Sequence, residues 1–221
     1  MMTRPVILLD LDGTLTDPGQ GFVNCIRHAL VSLHVDPPPD AEIAGHIGPP
    51  LEDTLTILLG DKADAALTTA VRLYRQRYAA RGIFENRLYD GIVDALQAIA
   101  ASGARMFLAT SKPQVFAEKI LDHFKLASWF TGIYGSQFDG THADKRELLS
   151  YLVERERIDS AQAVMVGDRY HDIRAAKTNG VQSVGVLWGY GDESELRDAG
   201  ANRIIAEPAQ LPSAAVGREM P

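Results

Sequence analysis

The sequence predicts an α/β fold: a doubly wound, mostly parallel, Rossmann-like sheet carrying an inserted all-helical domain. Two observations predict it. Short, largely apolar runs alternate with stretches of helical spacing at the N-terminus and across residues 87–221. Across residues 16–86 that alternation stops, and only helical stripes remain.

Pro5 to Leu9 is the first run, closed by Asp10 and broken at Gly13. Its lack of polar alternation marks a strand covered on both faces. Ala104 to Ala109, Ala163 to Val166 and Val181 to Leu187 repeat the pattern, and Ile204-Ile205 is a shorter last run. Val93, Leu96 and Ile99-Ala100 lie between them at helical spacing. So do Phe116, Ile120 and Phe124, and then Leu148-Leu149, Leu152 and Val153. Parallel strands joined this way take right-handed crossovers. In the insertion, Phe22, Ile26, Leu30 and Leu33 form one stripe. Leu51, Leu55, Leu58 and Leu59 form a second, and Leu67, Val71, Tyr74 and Tyr78 a third. Pro37-Pro38-Pro39 and Gly48-Pro49-Pro50 punctuate them. About four helices stand where one crossover helix would suffice. The expected division is therefore 1–15 with 87–221 for the α/β core and 16–86 for the helical insertion, with no strand inside the latter. Residues 207–221 hold three prolines and little periodicity, and are predicted to pack loosely.

Composition narrows the function classes. Among 221 residues, 46% are hydrophobic and 23% charged, which suits a folded globular protein. Lys plus Arg is 22 and Asp plus Glu is 29, so the formal charge is 22 − 29 = −7. An acidic surface repels phosphate backbones and anionic lipid, arguing against nucleic-acid polymers and membranes as partners. The single cysteine, Cys25, forms no intrachain disulfide and sits beside an apolar stripe as a packing residue. No signal-peptide core or membrane-length apolar run occurs, so a cytoplasmic location is expected. The six histidines show no zinc-ligand spacing, and His171 reads as an exposed polar residue.

Four short segments carry chemistry. In Asp10-Leu11-Asp12-Gly13-Thr14-Leu15-Thr16, side chains two apart on an extended chain share a side. Asp10 and Asp12 therefore meet at the carboxyl end of the first strand, where open α/β sheets bind ligands. Two carboxylates so close need a cation or a proton between them. Hard oxygen donors point to Mg²⁺. A turn serving geometry alone is the rival reading, and a helix-loop-helix calcium site fails because a strand precedes the segment. Gly167-Asp168-Arg169-Tyr170-His171-Asp172 follows another apolar run and adds two carboxylates, although Asp172 alone would pass for a helix cap. Ala109-Thr110-Ser111-Lys112-Pro113 closes a strand and opens a helix, a place for an anion. Lys145, at a helix start, opposes the helix dipole unless an anion is near.

Taken together, these segments resemble the haloacid dehalogenase-like phosphatase superfamily in order and spacing, over nearly the whole chain. The insertion resembles the helical cap of the branch holding phosphoglycolate phosphatases and 5′-nucleotidases. The resemblance implies Asp10 as nucleophile and Asp12 as general acid/base. It implies Thr110, Ser111 and Lys145 as phosphate binders, Asp10, Asp12 and Asp168 as Mg²⁺ ligands, and Asp172 as a support of the metal site. The second aspartate, Asp12, separates the chain from the true dehalogenases. The cap would close over the site, with hinges near Thr16–Pro18 and Gly82–Leu88. Leaving-group contacts are expected at the Gly48-Pro49-Pro50 loop and Arg75 or Tyr78, although Tyr74 and Tyr78 also fit a core stripe.

The implied activity is Mg²⁺-dependent hydrolysis of a small soluble phosphate ester by a monomer or weak homodimer. Arg169 and Asn179, together with Gly185-Val186-Leu187-Trp188-Gly189-Tyr190-Gly191, resemble a subgroup containing nucleotidases. Phosphoglycolate enzymes usually carry a small hydroxyl residue and an alanine at the first two places. Nucleoside 5′-monophosphates are therefore the expected substrates and phosphoglycolate the alternative. A phosphosugar mutase shares the nucleophile and the acid/base, and a non-catalytic phosphate-binding module is the rival outside enzymology.

Overall fold

A computed structural model describes residues 4–216. The chain forms two compact units: residues up to Thr16 together with those from Leu88 onward, and Asp17–Arg87.

The first unit is built on a six-stranded sheet. Its strands are β1 (Val6–Leu9), β4 (Arg105–Pro113), β5 (Gly132–Ser136), β6 (Ala163–Gly167), β7 (Gln182–Val186) and β8 (Arg203–Ile205). Two further strands, β2 (Thr16–Asp17) and β3 (Arg87–Leu88), pair as a separate ribbon where the chain leaves this unit and re-enters it. The sheet order is β5-β4-β1-β6-β7-β8, and all five pairings are parallel. β1 lies centrally, and Val6, Ile7, Leu8 and Leu9 are all buried. Leu9 pairs with Leu108 on one side and Val166 on the other. The chain winds from β1 toward β5 and then returns to β6, so strand order reverses beside β1. In such sheets this switch point opens a crevice at the carboxyl ends of the strands.

Helices supply the crossovers: α5 (Ile92–Ala101), α6 (Gln114–His123), α7 (Lys145–Arg155), α8 (Tyr170–Thr178) and α9 (Glu193–Ala199), with α10 (Leu211–Val216) last. One core layer joins Val6, Leu8, Phe107 and Met165 of the sheet to Leu148, Leu149 and Leu152 of α7. Each such side chain contributes about 1.5–3 kcal/mol by leaving water. One strand is unforeseen in the sequence and one expectation is corrected here. β5 was not legible, because Gly132, Gly135 and Ser136 interrupt its apolar run. Residues 208–216 are not loosely packed: α10 lies against α5, with Leu211 fully buried. The remainder of the 207–221 expectation falls on 217–221, outside the described residues.

The second unit contains α1 (Gly19–Ser32), α2 (Asp40–Ala44), α3 (Leu51–Leu59) and α4 (Ala63–Ala80). α4 packs against α1 and α3. Its Tyr74 and Tyr78 stack at 5.6 Å, and Phe22 of α1 meets Tyr74 edge-on at 6.0 Å. Both tyrosines are buried, which places them in the core stripe. Cys25 is buried as a packing residue, with Arg77 Nη1 3.2 Å from its sulfur. Arg77 also makes a bidentate pair with Glu85 at 2.8 and 2.9 Å, and this guanidinium holds the Glu85 carboxyl below its ordinary range. The expectation of no strand in 16–86 is corrected by β2, which is too short to leave a period in the sequence. Asp17 receives two hydrogen bonds from Arg87, at 2.8 and 3.0 Å. Among the described residues, no helix is long and apolar enough to cross a membrane.

Candidate active site at the strand ends

Asp10 is the first residue beyond β1, and its backbone N–H donates to the Val166 carbonyl of β6 at 3.0 Å. The chain then folds tightly upon itself. The N–H groups of Leu15 and Thr16 donate to the Leu11 carbonyl at 2.9 and 3.0 Å, and Gly13 N–H donates to the Thr16 carbonyl at 2.8 Å. Gly13 sits at φ +82°, and a Cβ there would lie 2.1 Å from Asp168 Oδ2. Glycine is required here for both reasons. The apolar Leu11 and Leu15 are fully buried and anchor this loop.

Asp168 directly follows β6 and is 1% exposed. Asp172 stands in the first turn of α8, also 1% exposed, and accepts from the Arg169 backbone N–H at 3.2 Å. Asp172 thus caps its helix and also faces the site. One oxygen each from Asp10, Asp168 and Asp172 lies within 4.8 Å of the others. Lys145, the first residue of α7, is 5% exposed. Its Nζ is 2.9 Å from Asp10 Oδ1 and also pairs with Asp172 Oδ1. Burial alone would lower the lysine pKa, but Asp10 and Asp172 outweigh it and hold the ammonium charged. Burial, then Asp172 and Asp10, push Asp168 up to about 8. Burial likewise pushes Asp172 up to about 6, against the opposing charge of Lys145. Three buried carboxyl groups face one ammonium, and Asp168 Oδ1 has no hydrogen-bond partner among the described residues. This donor set fits a hard divalent cation such as Mg²⁺.

Asp12 occupies a different position. Its carboxylate pairs with Lys112 Nζ of β4 and is not among the three whose oxygens converge. It is 22% exposed, yet enclosure by protein raises its pKa, with Lys112 opposing and Asp10 adding to the rise. Thr110 is 2% exposed near the end of β4, and its hydroxyl oxygen accepts from Lys112 N–H at 3.3 Å. The Ser111 carbonyl accepts from the Ser136 hydroxyl of β5 at 2.7 Å. Thr110, Ser111 and Lys112 thus lie where β4 runs into α6, whose N-terminal amides have no side-chain cap.

Sequence reasoning missed Lys112 and Ser136. Each partnership joins distant stretches and leaves no local pattern. It also read His171 as exposed, whereas the ring is half-buried against Tyr170 at 3.8 Å, and burial and Lys145 push its pKa down. Arg75 pairs with Glu52 at 2.9 Å within the helical unit. Arg169 and Asn179 have structural partners. Arg169 Nε donates to Glu195 at 2.8 Å, and Asn179 Nδ2 donates to the carbonyls of Ala175 and Arg146 at 2.9 and 3.1 Å.

The chain is similar to several known proteins. A 5′-nucleotidase from Pseudomonas aeruginosa is 42% identical over 208 residues, spanning 94% of this chain and 93% of that protein. The tyrosine-protein kinase PtkA of Mycobacterium tuberculosis is 37% identical over 208 residues, 93% of this chain and 69% of the kinase. The crystal structure of a predicted phosphatase from Clostridium acetobutylicum superposes with a TM-score of 0.89 at 36% identity, covering 96% of this chain and 98% of that one. The family model described as haloacid dehalogenase-like hydrolase matches residues 7–186, a span that takes in all seven site residues and the helical insertion. The chain therefore belongs to the haloacid dehalogenase-like hydrolases and is one of the family's phosphatases.

Proposed function

We propose that the chain hydrolyses small soluble phosphate monoesters with Mg²⁺ through an aspartyl-phosphate on Asp10, and that nucleoside 5′-monophosphates are its substrates. The observation that carries this reading is the convergence of the Asp10, Asp168 and Asp172 oxygens within 4.8 Å, with Lys145 Nζ 2.9 Å from Asp10. Asp10 and Asp168 would hold the cation, with Asp12 contributing beside them and Asp172 supporting the set from its helix. The cation, when bound, supplies positive charge against the phosphate dianion.

The remaining chemistry belongs to the chain. A carboxylate oxygen of Asp10 attacks phosphorus while the bond to the ester oxygen breaks. Asp12 gives its proton to the departing oxygen. It then takes a proton from the water that attacks phosphorus, and the bond between Asp10 and phosphorus breaks to release inorganic phosphate. Such acid/base assistance is worth about 10²–10⁴-fold. Burial raises the Asp12 pKa and favours the acid, whereas Lys112 favours the base. This opposition suits a group that must do both. Lys145, Thr110, Ser111 and the amides that open α6 would bind the phosphoryl oxygens.

The substrate assignment rests on the similarity to the 5′-nucleotidase. Arg169 and Asn179, which resemble the subgroup containing nucleotidases, make intrachain hydrogen bonds to Glu195 and to the Ala175 and Arg146 carbonyls. The test is a phosphate-release screen over nucleoside monophosphates, phosphoglycolate and sugar phosphates, with Mg²⁺ and with chelator. We expect the highest kcat/KM on a nucleoside 5′-monophosphate, silence in chelator, and recovery when Mg²⁺ is restored. A higher kcat/KM on phosphoglycolate would overturn the substrate. Full activity in chelator would overturn the metal.

A further inference from the structure

Residues 188–191, Trp-Gly-Tyr-Gly, follow β7 and carry no charged side chain. No step of phosphoryl transfer falls to them, yet they enclose Asp168. The Tyr190 backbone N–H donates to Asp168 Oδ2 at 2.8 Å. A Cβ on Gly189 would lie 2.3 Å from the Gly13 carbonyl oxygen and 2.4 Å from Asp168 Cβ. One on Gly191 would lie 2.0 Å from the Asp168 carbonyl oxygen. Only glycine lets the backbone come this close. The indole N–H of Trp188 donates to the Thr14 carbonyl at 2.9 Å. A single four-residue segment therefore touches both the loop that carries Asp10 and Asp12 and Asp168, the residue that follows β6.

We propose that residues 188–191 form a collar that sets the Asp168 carboxylate for divalent-cation binding, with Trp188 as a positioning residue tying the collar to the nucleophile loop. This rests on the reading of Asp168 as a metal ligand. The physical case is one of rotation and distance. An amide donor fixes Oδ2, so the carboxylate presents Oδ1, which has no hydrogen-bond partner among the described residues. The Trp188 hydrogen bond holds the Asp168 side of the site at a set distance from the Asp10 side. Outer groups that orient a ligand in this way typically govern metal affinity by about 10–100-fold.

The experiment measures Mn²⁺ binding to the full chain by electron paramagnetic resonance of the free ion, alongside unfolding temperature. Trp188→Phe keeps an aromatic ring and removes the N–H donor. Gly189→Ala forces the collar away from Asp168. Asp168→Asn reports on the ligand itself, and Trp129→Phe, at the chain's other tryptophan, serves as a control. The expected result is Mn²⁺ affinity weakened about tenfold by Trp188→Phe and up to about 100-fold by Gly189→Ala, with Trp129→Phe unchanged. A purely structural segment would instead lower the unfolding temperature and leave Mn²⁺ affinity alone. That outcome, with Asp168→Asn still defective, would overturn the collar and spare the metal reading. Wild-type protein that binds no Mn²⁺, or Asp168→Asn that binds it as tightly as wild type, would overturn the metal reading and the collar with it. The two collar changes are independent, so if one variant fails to fold the other decides.

Discussion

Asp10→Asn lowers kcat by at least about 10⁴-fold, the scale seen when an enzyme loses its nucleophile, and leaves the chain folded. The loss follows from the role assigned to Asp10: an amide oxygen in its place does not form the acyl-phosphate. Retention of the fold follows from the electrostatics. Asp10 raises the pKa of Asp12, Asp168 and Asp172, so its charge opposes the ionisation of each. Lys145 keeps Asp172 as a partner when Asp10 is neutral. Removing the Asp10 charge relieves that opposition and leaves metal-free stability equal or raised, a common trade at sites built for chemistry. Steady-state kinetics and urea unfolding in chelator check both halves. Substantial residual turnover, or a marked loss of stability, would contradict the account.

Lys145→Met has the opposite signature, because it damages both the fold and the reaction. The ammonium is almost fully buried and pairs with two carboxylates. Breaking a buried ion pair by deleting one partner costs about 3–5 kcal/mol, since the stranded charge has no water to recover. Metal-free protein should lose stability on that scale. A divalent cation should restore part of it, because it replaces the missing positive charge. The reaction does not recover in step. Loss of a preorganised cation at the phosphoryl oxygens costs about 10²–10³-fold in kcat. Urea unfolding with and without Mg²⁺ reads the first effect, and kinetics at saturating Mg²⁺ the second. A variant as stable as wild type in chelator would show that Lys145 does not neutralise the cluster.

The parts of the molecule that were legible in the sequence are those written in local pattern. β1 is an unbroken apolar run, and the two-residue spacing of Asp10 and Asp12 follows from the strand period. The apolar run of β6 likewise fixes where Asp168 must stand. The helical stripes of α1, α3 and α4 identified the inserted helices. What escaped was short, interrupted or made by distance. β5 carries two glycines and a serine, and β2 and β3 are two residues each. The pairing of Lys112 with Asp12 spans 100 residues of sequence, and the Trp188 bond to Thr14 spans 174. Neither helix nor strand periodicity encodes such a meeting. It arises only when β1, β4, β6 and β7 bring their carboxyl ends to one edge. Asp172 was visible as a helix-capping carboxylate and as a member of the cluster, and it serves both ends because α8 starts beside the site.

The most direct measurement is to quench the enzyme during turnover of a nucleoside 5′-monophosphate, reduce with borohydride, and map the modified residue by mass spectrometry. Borohydride converts an acyl-phosphate to the corresponding alcohol, so the account predicts homoserine at residue 10 and at no other carboxylate. Wild-type enzyme that turns over with no reduced product at residue 10, or with the product at Asp12 or Asp168, would contradict it.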